Sequence, residues 1–505
     1  MLLALGFGAV TAGTLSQLKH GASTSRGTPV DGQPDGSDLE TPPSLADAGT
    51  EPDAATTHET VIARGRVIDP DSGFDAVADV GIDGGVITAI SREPLRGTRT
   101  IDASDRVVAP GFIDILSYEP NSYGIWYKIA DGVTTNLGMH GINATAAEFF
   151  ARFATEGSPC HYGGAYDNPY HRALMGLDPD DAASPEQLVT IADDCRRQLA
   201  DGWIGVDLEP EYTPGIEYEE MRSLAAVAAE AGVTVYVHGR YSDNTAPGTN
   251  ADTLEEILRL ARDTGCGIHV EHLISTGGTF SMEESLATLD AAAADGLDVT
   301  ACMYPYNYWA TYLGSARFAP GWEERFEISY DDLVVAGTGE HVTESTFAAL
   351  QSDNVLVAAY GIPEDDVVTC LRSPLVMIGS DGILEPGDNN HPRGAGCFTR
   401  VLGRYVREQG VLDLPGALAK MTIQPARRLE GAAPALARKG RLQRGADADI
   451  VVFDPGAVSD TATVTDPSQF AEGMDWVLVL GTPVQTPGHV QVTDALVGRP
   501  ITGIA

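Results

Sequence analysis

Eight short apolar runs, alternating with helix-patterned segments between Gly111 and Asp381, are the feature that most restricts this chain of 505 residues. In order they are 111–115, 132–137, 160–165, 203–208, 233–238, 267–272, 299–304 and 375–381. Between them lie stretches such as Ser223-Leu-Ala-Ala-Val-Ala-Ala-Glu-Ala-Gly and Leu254-Glu-Glu-Ile-Leu-Arg-Leu-Ala-Arg, whose apolar residues recur at helical spacing. Repeated βα units build a parallel sheet, and eight of them close a (β/α)8 TIM barrel of the α/β class. Residues 306–372 break the alternation. Setting them aside leaves a length close to the roughly 250 residues of a plain barrel, so the segment reads as an insertion after strand seven, on the face where such barrels place their sites.

Outside the barrel, residues 60–108 carry short β-rich runs separated by Asp-Gly and Pro-Asp turns, and the alternation returns in Ala446-Asp-Ala-Asp-Ile-Val-Val-Phe-Asp. The expected organisation is a small composite β-sandwich domain from residues 59–109 and 440–505, a barrel over 110–439 with the lid-like insertion 306–372, and a leading segment 1–58. Residues 2–12 are apolar but too short to span a bilayer, which needs about 20 such residues. They look like the hydrophobic part of a twin-arginine export signal whose basic start is missing, so the expected location is extracytoplasmic if a longer leader precedes them and cytoplasmic otherwise. From Gly21 to His58 the chain is rich in Ser, Thr, Asp, Gly and Pro, which predicts a disordered linker.

Charge narrows the partners. Asp plus Glu total 72 against 32 Lys plus Arg, and the only lysines are Lys19, Lys128, Lys420 and Lys439, giving a formal charge of -40. A phosphate backbone or an acidic leaflet would be repelled over most of such a surface, so nucleic acid and stable membrane insertion are excluded as main associations. An acid excess this large suits a protein kept soluble in concentrated salt, where screening removes most of the self-repulsion. The six cysteines show neither a CxxC pair nor regular spacing, and are read as core residues rather than a zinc ribbon or disulfide framework.

Chemistry in a TIM barrel sits at the carboxyl ends of the strands. His140 closes the second strand, His238 the fifth, His272 the sixth and Asp381 the eighth. Strict alternation puts His238 on one face with Tyr236, and His272 on one face with Val270, leaving His269 and Glu271 on the other. One such histidine alone is usually a hydrogen-bonded structural residue. Three together suit zinc, which takes neutral imidazole ligands and leaves a position for water or substrate, although Ni, Co or Fe would accept the same ligands.

The chain resembles the amidohydrolase superfamily, within it the D-aminoacylase or N-acyl-D-amino-acid deacylase branch. The resemblance rests on Val108-Ala-Pro-Gly-Phe-Ile-Asp, Asp131-Gly-Val-Thr-Thr, His171-Arg-Ala-Leu-Met-Gly, Tyr304-Pro-Tyr, Met377-Ile-Gly-Ser-Asp-Gly, His391-Pro-Arg and Lys420-Met-Thr. It implies a metal-dependent hydrolase that cleaves the amide of N-acyl-D-amino acids. The departures are specific. Leu116 and Tyr118 stand where the family pattern has two strand-one histidines, His140 replaces a cysteine, and Ile274 replaces a lysine. One metal position has therefore lost its imidazoles, and a single Zn2+ per chain on His140, His238 and His272 is expected. Lys128 and Lys420 fall in helical stretches and cannot bridge two ions, while Glu209 is the one extra carboxylate near a strand end and is read as structural.

The expected mechanism gives Asp381 the water proton as general base and has it return that proton to the departing amine. Arg240, Tyr304 and Arg393 are the candidate substrate-binding residues, the two arginines as clamps for the carboxylate of a small-molecule substrate. Tyr306 is a further hydroxyl in reach, and Trp309 and Tyr312 of the insertion are candidates to line an acyl pocket. Hydrolysis of another C-N bond, such as a cyclic amide, and a catalytically silent binding relative are the competing readings. Assembly into a homo-oligomer is compatible with all of them.

Overall fold

The computed structural model describes residues 56–387, 390–490 and 495–503. The apolar start and nearly all of the expected linker therefore lie outside the described residues. Thr57 and His58 already belong to a strand, and the His58 ring is buried with Nδ1 2.7 Å from Asp83 Oδ2. Among the described residues no helix is long and apolar enough to cross a membrane.

The barrel strands are β1 (Phe112–Ser117), β2 (Val133–Gly138), β3 (His161–Gly164, resuming at Tyr166–Asp167), β4 (Gly205–Leu208), β5 (Thr234–Val237), β6 (Gly267–Val270), β7 (Val299–Met303) and β8 (Val376–Ile378). Neighbours pair in parallel from β1 to β3 and from β3 to β8. Closure between β8 and β1 is made by Asp381 N–H donating to the Leu116 carbonyl at 2.7 Å and Ser380 N–H donating to Asp114 Oδ1 at 2.9 Å. Only glycine permits that approach, because a Cβ on Gly379 would stand 2.8 Å from the Leu116 Cβ.

Two apolar layers hold the barrel. Ile113, Ile115, Leu116, Leu137, Met139, Tyr236, Cys302 and Met377 belong to one buried cluster, and Val235, Val237, Ile268 and Val270 pack outward with helix residues. The helix Asn250–Thr264 shows why these residues coil. Thr249 forms a capping box with Asp252, Gly265 ends the helix at φ +73°, and Leu254, Ile257, Leu258 and Ala261 line its buried stripe. Truncating one such leucine to alanine costs about 2–5 kcal/mol.

Both ends of the described chain contribute to one eight-stranded sheet, in which Val107–Pro110 pairs with Thr57–Asp69 on one side and antiparallel with Ile450–Phe453 on the other. The sheet is tied to the barrel by a buried charge cluster. Lys439 Nζ donates to Asp449 Oδ2 at 2.8 Å and to Asp447 Oδ2 at 2.9 Å, and Nε2 of His161, on β3, lies 3.1 Å from Asp449. All six cysteines are buried and free.

The segment after β7 forms a three-stranded antiparallel sheet from Trp309–Tyr312, Leu333–Val335 and Leu356–Ala359. Trp309 packs against Phe318 and Phe326, at 5.5 and 5.1 Å between ring centroids, so this tryptophan is core of the inserted segment rather than lining of a substrate pocket. The helix Glu364–Arg372 that follows buries Val367, Cys370 and Leu371 in the outer barrel layer.

Candidate active site

Three imidazoles converge at the carboxyl end of the barrel. The His140 and His238 rings stack at 5.9 Å, His140 and His272 lie edge to face at 6.0 Å, and His238 Nδ1 is 3.1 Å from His272 Nε2. All three side chains are buried. His238 arrives by alternation, since Tyr236 on the same strand also points inward.

His272 arrives by a different route. Ile268 and Val270 pack outward under the helices, while His269 turns inward with its ring 4.9 Å from that of Tyr236. Alternation continued past Val270 would therefore send Glu271 inward and His272 outward. The regular strand stops at Val270, and His272 takes φ +24°, a backbone conformation that non-glycine residues rarely adopt. That turn brings Glu271 and His272 into the mouth together, so the expectation that Glu271 faces away from His272 is corrected.

Asp381 also has positive φ, +50°, immediately after the closure at Gly379 and Ser380. One carboxylate oxygen lies 2.8 Å from Arg393 Nη1 and 3.7 Å from His272 Nε2, and its Oδ1 accepts no hydrogen bond. The Arg393 guanidinium stands 4.7 Å from the centre of the Tyr304 ring, and the rings of Tyr304 and His272 are 6.3 Å apart. Asp381, Arg393 and Tyr304 thus stand together beside His272. Burial lowers the pKa of Arg393, but the facing Asp381 carboxylate overcomes this and keeps it fully charged.

Arg240 is elsewhere. Its Nε lies 3.0 Å from Glu256 Oε2 and its Nη2 donates to the Ile216 carbonyl at 2.9 Å, so it is spent on a helix and a loop outside the constellation. The expected clamp role for Arg240 is corrected on that ground. Tyr306 faces Arg400 and Pro392 instead of the histidines.

Four acidic residues complete the site. Glu211 Oε2 lies 2.7 Å from His238 Nε2, accepts from Ser242 Oγ at 2.8 Å, and is held by Arg317 Nε at 3.0 Å. Burial pushes the Glu211 pKa up, yet Arg317 and His238 bring it down to about 2. Asp207, Glu209 and Glu271 face Nδ1 of His140 at 3.6, 3.4 and 3.1 Å. Burial lowers the His140 pKa, but Glu209 and Glu271 outweigh it and hold it well above the ordinary imidazole value. His272 is pushed well below that value by burial and by the charges of His238 and His140.

The signal for three of these acids lay in spacing, because Asp207, Glu209 and Glu211 occupy every second position at the end of β4. Glu209, read as structural, is one of the groups facing His140. Arg317 left no such signal, being placed by an inserted segment outside the barrel repeat.

The donor set fits a divalent metal. One ligand atom each from His140, His238, Glu271 and His272 all lie within 4.8 Å of one another, and the buried Nδ1 of His140 has no hydrogen-bond partner. On the strand-one side, Leu116 is packed in the inner cluster and the Tyr118 ring lies 5.3 Å from that of His140. Two apolar or phenolic side chains thus fill the side from which the missing histidine pair would ligate.

The model of the amidohydrolase family matches residues 124–477. An N-acyl-D-glutamate deacylase of Alcaligenes xylosoxydans xylosoxydans is 32% identical over 88% of this chain and 98% of its own length, and a D-aminoacylase of the same organism is 30% identical over 84% and 94%. The crystal structure of N-acyl-D-glutamate deacylase from Bordetella bronchiseptica, complexed with zinc and a phosphonate inhibitor that mimics the tetrahedral intermediate, is 29% identical with a TM-score of 0.76. It covers 89% of this chain and 100% of that one.

Proposed function

Because this chain belongs to the amidohydrolase family, we propose that it is a metal-dependent hydrolase of the amide bond in N-acyl-D-amino acids, with a single catalytic zinc held by His140, His238 and His272. The observation that carries the reading is the convergence of those three buried imidazoles, with Asp381, whose Oδ1 is free of hydrogen bonds, 3.7 Å from His272. When bound, the metal supplies Lewis acidity at the scissile carbonyl and acidifies a water toward neutrality.

The side chains do the rest. Asp381 accepts the water proton on its open carboxylate oxygen and returns it to the departing amine. Arg393 keeps that carboxylate oriented through the 2.8 Å contact, and its Nε, which has no hydrogen-bond partner, is the donor left for the substrate's own carboxylate. Tyr304 packs against the Arg393 plane and fixes it. Glu211 takes the Nε2 proton of His238 as a hydrogen bond, leaving the lone pair of Nδ1, 3.1 Å from His272 Nε2, to ligate the metal. The catalytic roles assigned here to Asp381, Arg393 and Tyr304 rest on that geometry and on the similarity to deacylases. The acid excess of the chain is assigned to function in concentrated salt, and a Tm that rises as KCl is added is the expected outcome of a thermal melt.

The test is amine release from N-acetyl-D-glutamate and other N-acetyl-D-amino acids by zinc-replete protein in high salt, with the L-enantiomers alongside. Release confined to the D series, abolished by a chelator and by His238→Ala, is the expected result. A zinc-replete protein that releases no amine from any N-acyl amino acid overturns the proposal.

A further inference from the structure

Strands β4 and β6 bring three carboxylates together behind the catalytic histidines. The Asp207, Glu209 and Glu271 side chains are at most 1% exposed, and each faces the 3%-exposed imidazole of His140. Both oxygens of Asp207, both of Glu271 and one of Glu209 accept no hydrogen bond, and the His140 Nδ1 aimed at all three has no hydrogen-bond partner either.

Buried acids elsewhere in this fold are matched either by hydrogen-bond donors, as Asp69 and Asp131 are, or by a cation. Asp114 has Lys128, Glu220 has Arg172, Asp449 has Lys439 and Glu211 has Arg317. Among the described residues, no lysine or arginine forms an ion pair with Asp207, Glu209 or Glu271. Three buried carboxylates sharing one imidazole are the arrangement that desolvation penalises most, and either proton uptake, toward which burial pushes all three, or a further positive charge among them relieves it.

The spacing suits an ion. One ligand atom each from His140, Asp207 and Glu209 lie within 4.8 Å of one another, a second set that shares only His140 with the catalytic histidines. Oxygens on opposite sides of an ion bound at about 2.4 Å are about 4.8 Å apart. We propose that Asp207, Glu209 and His140 form an inner divalent-cation position, with His140 giving up its ring proton to solvent to bridge it to the catalytic one as an imidazolate and Glu271 standing between the two. Two carboxylates and one imidazole favour an oxygen-preferring transition ion of the Mn2+ type. The inner position goes beyond the proposed hydrolysis, to which it is linked through His140.

Full-length protein stripped of metal and reloaded with Mn2+ tests this by counting bound equivalents and recording the EPR spectrum. Two equivalents in the wild type, with a signal broadened by a neighbouring spin, are expected. Asp207→Asn/Glu209→Gln then retains one equivalent and a sharp signal, and His238→Ala loses the other. One wild-type equivalent, lost in His238→Ala and kept in the double variant, overturns the inner position and leaves the catalytic reading standing. No bound Mn2+ in the wild type overturns the inner position, and the zinc-dependent amine release decides the catalytic reading separately. The wild-type count decides between one and two even where a variant does not fold.

Discussion

Arg317 Nε and His238 Nε2 meet on the same carboxylate oxygen, Oε2 of Glu211, at 3.0 and 2.7 Å. A residue of the inserted segment thereby reaches a proposed metal ligand through one intermediary. Arg317 is 2% exposed, lies 4.8 Å from the Trp309 ring and donates to the Ser275 carbonyl at 2.8 Å, so the aromatic core of the insertion is what fixes it. The carboxylate that faces His238 Nε2 is thus positioned from outside the barrel.

Glu211→Gln keeps the shape but removes the charge that holds the Nε2 proton of His238. Metal affinity is expected to fall about 10- to 100-fold, as when an outer partner of a ligating histidine is lost. Competition with a chromophoric chelator measures it. An affinity unchanged from wild type refutes the link between insertion and metal.

Asp381→Asn leaves the three imidazoles in place and removes the proton acceptor. Turnover is expected to drop by about 10²–10⁴, the contribution typical of a positioned general base or acid. Steady-state kinetics with a parallel metal assay checks this, and a variant retaining both metal and full activity excludes Asp381 as the base.

Arg240→Ala tests the corrected assignment. Its partner Glu256 and its own side chain are both partly exposed, at 20% and 17%, so the lost pair costs about 0–1 kcal/mol. The ratio kcat/KM is expected to stay within a factor of two of wild type, while a rise in KM of tenfold or more would restore Arg240 to the substrate site.

Acid sensitivity follows from the depressed carboxylates. Lys439 and His161 overcome the burial of Asp449 and hold its pKa far below the usual carboxylate range. A folded-state value below the unfolded one gives stability that is fully present above about pH 4 and is lost as pH falls through the folded value. Asp449→Asn leaves Asp447 as the carboxylate partner of the buried Lys439 ammonium and is expected to destabilise by about 1–3 kcal/mol at pH 7. Denaturant unfolding from pH 2 to 7 should show a shallower acid limb in the variant, and an identical slope would remove Asp449 as its source.

Much of this was legible from periodicity. The eight apolar runs mark the barrel strands because a parallel sheet buried on both faces needs continuous apolar stretches. His140, His238, His272 and Asp381 were found as strand ends. His272 reaches the mouth by a route that alternation does not give, because alternation presumes a strand that continues, and this one stops at Val270 and turns at φ +24°. Arg240 misled because its neighbour His238 is in the site, whereas two residues further on the chain has already left toward the helix that carries Glu256. Arg317 was beyond reach, since its position depends on how an insertion packs and not on any repeat.

The pairing of Val107–Pro110 with Ile450–Phe453 sets an order of events during synthesis. The first of these strands leaves the ribosome before any of the barrel, and its partner emerges only after the whole barrel has followed. Until then Val107 and Val108, both buried in the finished sheet, lack one neighbour, and an unpaired strand edge invites association with other chains. A nascent chain truncated before residue 450 should therefore depend on chaperones even with its eight barrel strands complete.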